Sequence, residues 1–455
     1  MTQHAFTSPP TDELRELFAE RFIPDGADLE RVSRDESRYS PEGQALAAIF
    51  PETTEEVSAA LKWANQHEVT VSVRGTGTGL SGGALAYADG LVISLERMNQ
   101  IIAIDPVNRL AEVQAGVING ALNRAVAEQG LFFAPDPASA EISTIGGNIA
   151  TNAGGLRCIS HGVTRDSVAA LEVVLADGRI IHTGAKTIKN VVGLDLTSLF
   201  VGSEGTLGII TGATVRLKPI APGTPQVFRA SFDSIEDAGR AVTAIVNGSH
   251  KPEVLELLDA RSVQIIEEFK PSGLPAIGSA LLIGQFTGLH AENSAAEAIQ
   301  ACREHGATDT VIAEGDSLLE ARRLANPALS AKGLRVSCDI AVPIGELATI
   351  FRGIDEISLK RGLAVSVVAH AGDGNLHPTV EASDTPAGYA AAEVVIADIT
   401  RLALELGGTI SGEHGIGLVK QEELPWQIDD ATRRTQHLIK SALDPNNILT
   451  PGRGI

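Results

Sequence analysis

The stretch VTVSVRGTGTGLSGG, residues 69–83, decides how the fold is read. Its β-rich first half, VTVSV, reads as a short strand, and the run from Arg74 to Gly83 places five glycines among Thr and Ser. Glycine lets backbone N–H groups approach a phosphate closely, and hydroxyls add further donors. A Rossmann fingerprint would continue into a helix, but this run passes through Tyr87-Ala-Asp-Gly90 to another strand, LVISL. A Walker loop would need Gly-Lys-Ser/Thr, which is absent. One such run could be a set of tight turns. Two more follow, STIGGNIATNAGG (143–155) and VGSEGTLGII (201–210). Glycine costs backbone entropy, so three runs this close together favour a nucleotide cradle over three idle turns.

Around this cradle the chain predicts an α+β protein of two parts. Upstream, residues 1–40 read as polar helix with loops, and TTEEVSAALKWANQHE (53–68) repeats apolar residues at helical spacing behind a Thr cap. Downstream come strand RLAEVQAG, helix NGALNRAVAEQG, and VAALEVVLADGRIIHTG (168–184), a hairpin joined through Ala-Asp-Gly. PIAPGTPQ (219–226) is dense in Pro and Gly and marks the boundary. Beyond it strand FRASF leads to helix IEDAGRAVTAIVNG, and strand SALLIGQFT to helix AAEAIQACREHG and strand TDTVIA. That alternation predicts an antiparallel sheet backed by helices. The chain closes with helix ATRRTQHLIKSAL and the tail DPNNILTPGRGI.

The 455 residues exceed one ordinary core. Lys+Arg 36 against Asp+Glu 57 leaves a net charge of −21, which argues against nucleic acid and anionic membranes as partners. Any site for an anionic ligand must be built locally, from helix N-termini, an Arg or a metal. The N-terminus lacks the apolar core of a signal peptide, and no stretch is apolar enough to span a bilayer, so the cytoplasm is the expected compartment. Cys158, Cys302 and Cys338 form no CxxC pair, and Cys338 reads as a small buried hydrophobe.

The second part carries VVAHAGDGNLHPTV (367–380). The apolar run LAVSVVAH reads as a buried strand and Asp373-Gly374 as a two-residue hairpin turn. That turn would oppose Gly372 to Asn375, Ala371 to Leu376 and His370 to His377. Directly opposed residues lie ~5 Å apart at Cβ, a spacing that lets two imidazoles share a metal, and opposition across such a turn favours this over two histidines that merely stack or pair. Further on, GGTISGEHGIGLVK (407–420) sets Glu413-His414 in a Gly-rich loop, which can aim adjacent side chains in different directions.

Together PETTEEV, RGTGTGLSGG, PDPAS, TIGGNIATNAGG and GSEGTLGIIT resemble the flavin domain of the vanillyl-alcohol oxidase superfamily, also called the p-cresol methylhydroxylase (PCMH) type. With HAGDGNLH and GEHG they resemble, more narrowly, its D-lactate, glycolate and D-2-hydroxyglutarate dehydrogenase branch. The likeness runs from about Asp35 to the C-terminus. It implies a two-part FAD-binding domain over 1–220 (core 40–218), a substrate or cap domain with a metal site over 227–425, and a segment, 426–455, returning to the FAD domain. It implies that Arg74, Gly75, Thr76, Gly77, Thr78, Gly79, Leu80 and Ser81 wrap the FAD pyrophosphate. Pro135, Ser139, Gly146, Gly147, Asn152 and Gly155 would line the cofactor, and Glu204, Gly205, Ile209 and Ile210 would run past it. No His lies in 74–84, so FAD is expected to be held there without a covalent tether.

The resemblance also assigns His370, His377 and Glu413 as ligands of zinc or manganese, with His370 and His377 beside the substrate, and His414 as the general base. A 2-hydroxy acid can chelate such a metal, which acidifies its hydroxyl. A histidine of ordinary pKa near ~6.5 can take the proton, and the Cα hydrogen can leave as hydride to the flavin. Arg322 in LLEARRLANPAL matches the family's carboxylate clamp, with Arg323 close enough to blur the register. The chain departs from the family at His161-Gly162, often Tyr-Gly, and at Leu194, often Tyr. His161 could stack near the flavin or simply pack. Dicarboxylate-specific relatives place a Lys where Ser337 stands, which favours acids of lactate or glycolate size over hydroxyglutarate. The expected reaction is FAD-dependent oxidation of a small D-2-hydroxy acid. D-2-hydroxyglutarate oxidation, an oxygen-using oxidase and a flavin subunit of a larger complex are the alternatives. The electron acceptor, quinone or electron-transfer flavoprotein, stays open, as does a homodimer.

Overall fold

The structure, a computed structural model, describes residues 9–41, 43–274, 278–313, 317–332 and 335–455. Thr53 caps the helix Thr54–Gln66 by accepting from the Glu56 N–H, and this helix buries Val57, Leu61 and Ala64. It carries the chain from β2 (Ala47–Ile49) to β3 (Val71–Arg74). Both strands run parallel to β4 (Leu91–Ser94), and β1 (Phe22–Ile23) completes the sheet in the order β1-β2-β4-β3. The glycine run thus leaves the end of β3 and reaches β4 without a helix, as its sequence predicts.

Next come β5 (Ile101–Asp105), β6 (Leu110–Gln114), β7 (Leu131–Phe132), β8 (Val168–Val174), β9 (Ile180–Gly184), β10 (Ile209–Arg216) and β11 (Lys218–Pro219). The two-residue β7 and β11 pair with each other, and the rest form an antiparallel sheet in the order β5-β6-β10-β8-β9. The stretch STIGGNIATNAGG is not loop throughout. Its centre, Ile145–Thr151, is a helix capped by Thr144 and ended by Asn152 in the left-handed region. Two early glycines hide this helix from a propensity reading, but the caps at both ends specify it.

Residues 220–225 form neither helix nor strand. The second half is built on β12 (Gln226–Phe232), β13 (Val254–Asp259), β14 (Ala280–Phe286), β15 (Ala307–Ala313), β16 (Arg335–Ser337), β17 (Ile340–Ala341), β18 (Val365–His370) and β19 (Asn375–Glu381). All pair antiparallel, in the order β15-β12-β14-β13-β18-β19-β16 with β17 on β19. Strand alternation sends Phe228, Ala230, Leu255 and Leu257 under helices Ile235–Val246, Ala291–Glu304, Leu347–Arg361 and Pro386–Glu405. Val227, Val254, Leu258 and Val368 face the other way, under helices Ala260–Phe269 and Ser317–Arg323. Glu256, His370 and His377 share this second face, because Glu256 pairs with His370 and Val368 with His377.

After helix Asp430–Leu443 the chain returns to the first half. Val71 N–H donates to Ile448 (2.7 Å) and Thr450 N–H to Val71 (3.0 Å), so the tail lies beside β3. Among the described residues no helix is long and apolar enough to cross a membrane.

Candidate functional site

The three glycine-rich stretches meet at the end of β3. A Cβ on Gly75 would lie 2.1 Å from Thr144 Oγ1, and one on Gly205 2.7 Å from Val73 Cγ1. Thr76 Oγ1 donates to the Ile142 carbonyl (2.7 Å), joining the first stretch to the second. Among the described residues no backbone N–H from Gly75 to Gly83 donates to a protein acceptor, whereas the carbonyls of Gly77, Gly79 and Ser81 all accept. A half-buried row of unspent N–H donors on a glycine backbone is what a pyrophosphate requires, so these residues fit FAD.

Not every residue expected around FAD offers it a side chain. Arg74 is buried, and its guanidinium donates to carbonyls on both sides, including Val32 (2.8 Å), Gly75 (3.0 Å) and Thr76 (2.7 Å). It clamps the loop from inside. Ile209 and Ile210 turn into separate hydrophobic cores. The Pro135 carbonyl accepts from Asn119 Nδ2 (2.9 Å), Ser139 turns the chain into 142–143, and Asn152 Oδ1 accepts from the Arg165 N–H (2.9 Å). Gly146 and Gly147 begin the helix, and Gly155 N–H donates to Cys158 Sγ (3.1 Å). Thr78 is half-buried and Leu80 exposed.

The hairpin register differs from the expected one. His370 pairs with Asn375, Ala369 with Leu376, and Val368 with His377. Residues 371–374 form the loop, closed by the Asp373 and Gly374 N–H groups donating to the His370 carbonyl (3.2 and 3.0 Å). Gly374, at φ +83°, packs against the Val342 carbonyl, an approach a Cβ would block. A longer loop therefore replaces the Asp373-Gly374 two-residue turn. The histidines sit diagonally on one face, which keeps them in reach: the ring centroids are 5.1 Å apart.

Glu413 completes the cluster. Its Oε1 lies 3.2 Å from His377 Nε2 and 3.7 Å from His370 Nε2. One ligand atom each from His370, His377 and Glu413 falls within 4.8 Å of the others. Two nitrogens and a carboxylate oxygen so gathered are a zinc or manganese donor set, so these residues fit a divalent metal. Burial opposes the Glu413 charge, yet hydrogen bonds from His370 and His377 hold its carboxyl well below the usual range. The His414 ring stacks on His377 at 5.2 Å with its Nε2 3.8 Å from Glu413 Oε1. Burial pushes the His414 pKa below its ordinary value, and Asp339 only partly offsets this. A neutral imidazole beside the cluster can accept a proton.

The loop carrying Glu413 and His414 is held from both halves. Asp339 Oδ2 accepts from Ser411 Oγ and from the N–H groups of Glu413 and His414, each at 2.9 Å. Glu204, at φ +52°, accepts from the Ile416 (2.8 Å) and Gly417 (2.7 Å) N–H groups, and the Ser81 carbonyl from Leu418 (2.7 Å). The Glu413–His414 loop is thereby pinned to the glycine-rich loop.

Two family models divide the sequence as this geometry does: an FAD binding domain matches residues 45–184, and the C-terminal domain of FAD linked oxidases matches 222–453. The chain belongs to the FAD-linked oxidases. It is 40% identical to the glycolate oxidase subunit GlcD of Bacillus subtilis, with 97% of each chain covered. It is 39% identical to the D-lactate dehydrogenase of Archaeoglobus fulgidus, over 90% of this chain and 91% of that one. In fold it matches p-cresol methylhydroxylase with a TM-score of 0.82, at 19% identity over 100% of this chain and 97% of that one.

Around the cluster, this FAD-linked oxidase gives expected residues partners that its sequence does not announce. Arg322, expected as a carboxylate clamp, is buried, and its Nε donates to Glu256 Oε2 (2.7 Å). Glu256 Oε1 in turn lies 2.7 Å from His370 Nδ1. His161 packs: its Nε2 is 2.9 Å from Glu253 Oε1 and its ring meets Phe132 edge-on at 5.3 Å. Burial pushes Asp136 up to about 6 despite Arg157 beside it. Neither Glu256 nor Asp339 was singled out from the sequence. Each had a signal there, a carboxylate set between apolar neighbours, which must find partners once buried.

Proposed function

We propose that this enzyme oxidises a small 2-hydroxy acid of lactate or glycolate size to the 2-oxo acid, using FAD and a divalent cation, zinc or manganese. The observation that carries the reading is the convergence of His370, His377 and Glu413 within 4.8 Å, with the His414 imidazole stacked at their edge. Similarity to a glycolate oxidase subunit and a D-lactate dehydrogenase over nearly the whole chain supports the same substrate class. When bound, FAD supplies the two-electron acceptor and the metal supplies Lewis acidity.

The chain's own residues do the rest. The backbone N–H groups of 75–81 would hold the pyrophosphate, and His370, His377 and Glu413 the cation. His414 Nε2 takes the hydroxyl proton in the transition state, a role its burial-lowered pKa prepares. Arg322 is assigned to the substrate carboxylate, with Glu256 fixing its orientation. On the face that carries His377, Ser337 Oγ and Thr379 Oγ1 pair at 3.0 Å where a distal carboxylate would need a cation, and this supports the smaller acids.

An anaerobic panel of D- and L-2-hydroxy acids, read by flavin bleaching, tests the proposal. D-lactate or glycolate should bleach fastest and D-2-hydroxyglutarate slowly. A flavin that none of them bleaches refutes the substrate class. Reoxidation by air, against a quinone or an electron-transfer flavoprotein, then identifies the acceptor.

A further inference from the structure

Glu256 interrupts the apolar centre of the strand Val254-Leu-Glu-Leu-Leu-Asp259, and its side chain is fully buried. A carboxylate there costs heavily unless both oxygens are engaged. Both are. Oε1 lies 2.7 Å from His370 Nδ1, and Oε2 accepts from Arg322 Nε at 2.7 Å. The contact to His370 is set by the sheet, since Glu256 on β13 pairs directly with His370 on β18. A carboxylate can only accept, so the ring presents its proton at Nδ1, and Nε2, 3.7 Å from Glu413 Oε1, is left as the ligand atom.

We propose that Glu256 is a positioning residue with two charges in its keeping. It fixes the tautomer and aim of His370 toward the cation, and the same carboxylate holds Arg322, so metal affinity and substrate-carboxylate affinity are coupled through one side chain. The proposal rests on the metal and clamp assignments above, and it adds that neither is independent of the other. Because Glu256 touches His370 and Arg322, its loss should reach both. Loss of Arg322 leaves the Glu256–His370 contact in place and should reach only the substrate.

The test compares holoenzymes by equilibrium dialysis against zinc alone and manganese alone, with FAD content and thermal melting as controls. Glu256→Gln, whose amide oxygen can still accept from Nδ1 but carries no charge, should bind metal about 10-fold more weakly, the lower end of what perturbing the partner behind a metal-bound histidine costs. Arg322→Met should stay within about threefold of wild type. At saturating metal, Glu256→Gln should also raise KM for the acid that best bleaches the flavin, by about tenfold, with a smaller change in kcat. A merely structural role would not split the two constants in this way. If Glu256→Gln does not fold, Glu256→Leu/Arg322→Met replaces the buried pair by apolar groups and takes the acceptor from His370 Nδ1 altogether, so its metal loss should be the larger, up to about 100-fold. A folded Glu256 variant with wild-type metal affinity overturns the proposal. A wild-type enzyme that takes up neither metal overturns the metal reading itself, and the two failures are told apart before any substrate is added.

Discussion

Glu204 ties the loop that carries Glu413 and His414 to the first half, and its removal should be felt in both stability and turnover. In Glu204→Ala the Ile416 and Gly417 N–H groups lose their acceptor. Leaving a buried donor unpaired costs roughly 1–3 kcal/mol, so the two together should cost about 2–6 kcal/mol, less where water enters. Gln retains one acceptor oxygen and should lose about half as much. Residue 204 is at φ +52°, and a glycine there would relieve about 1 kcal/mol of left-handed strain. The expected order of stability is wild type, then Gln, then Gly, then Ala. Urea unfolding of the FAD-loaded protein, followed by flavin fluorescence, measures it. Turnover should fall in parallel, because Glu413 and His414 lie two to four residues from the freed amides. Should Glu204→Ala unfold within about 0.5 kcal/mol of wild type and keep its kcat, the pinning of this loop by Glu204 is not what holds the site together.

His414→Ala should lower kcat by roughly 10²–10⁴-fold with metal and FAD content near wild type, the signature of a lost base, and loss of the metal would reassign His414 as a ligand. Asp259 caps helix Ala260–Phe269 and also accepts from the Val367 N–H (2.8 Å), and burial pushes it up to about 6. Its folded pKa exceeds the ordinary ~3.9, so its contribution is fully present below pH ~4 and is lost as pH rises through about 6, by roughly 3 kcal/mol. Relative to Asp259→Asn, the wild type should therefore gain stability in denaturation at pH 4–5 over pH 7–8, and a pH-independent difference would refute the assignment.

Local grammar carried much of the fold. The Thr53 cap, the helix behind it, the Ala-Asp-Gly hairpin and the strand–helix alternation after residue 226 are written in short windows, and the structure has them. What short windows lack is the energy that decides between close alternatives. Asp373-Gly374 is a strong turn signal, yet the loop forms over four residues, because Gly374 packs on the Val342 carbonyl at the start of a segment distant in sequence. The helix Ile145–Thr151 is similar: Gly146 seats its first turn against Ala115, a contact that offsets the cost of glycine in a helix.

The site divides along the same line. Motif residues could be found because their spacing is chemical, with His370, His377, Glu413 and His414 lying in two short Gly-rich segments. The carboxylates behind them could not be assigned, because a sheet register and a helix packing decide which group a buried charge meets. Arg322 shows the consequence. As a sequence position it reads as a free clamp for a substrate anion, and in the fold its Nε already serves Glu256. Under the proposed assignment, that pairing fixes the guanidinium before substrate arrives, which lowers the ordering cost of binding. A substitution at Glu256 should change specificity without touching the substrate, an effect visible only once β13 and β18 are paired.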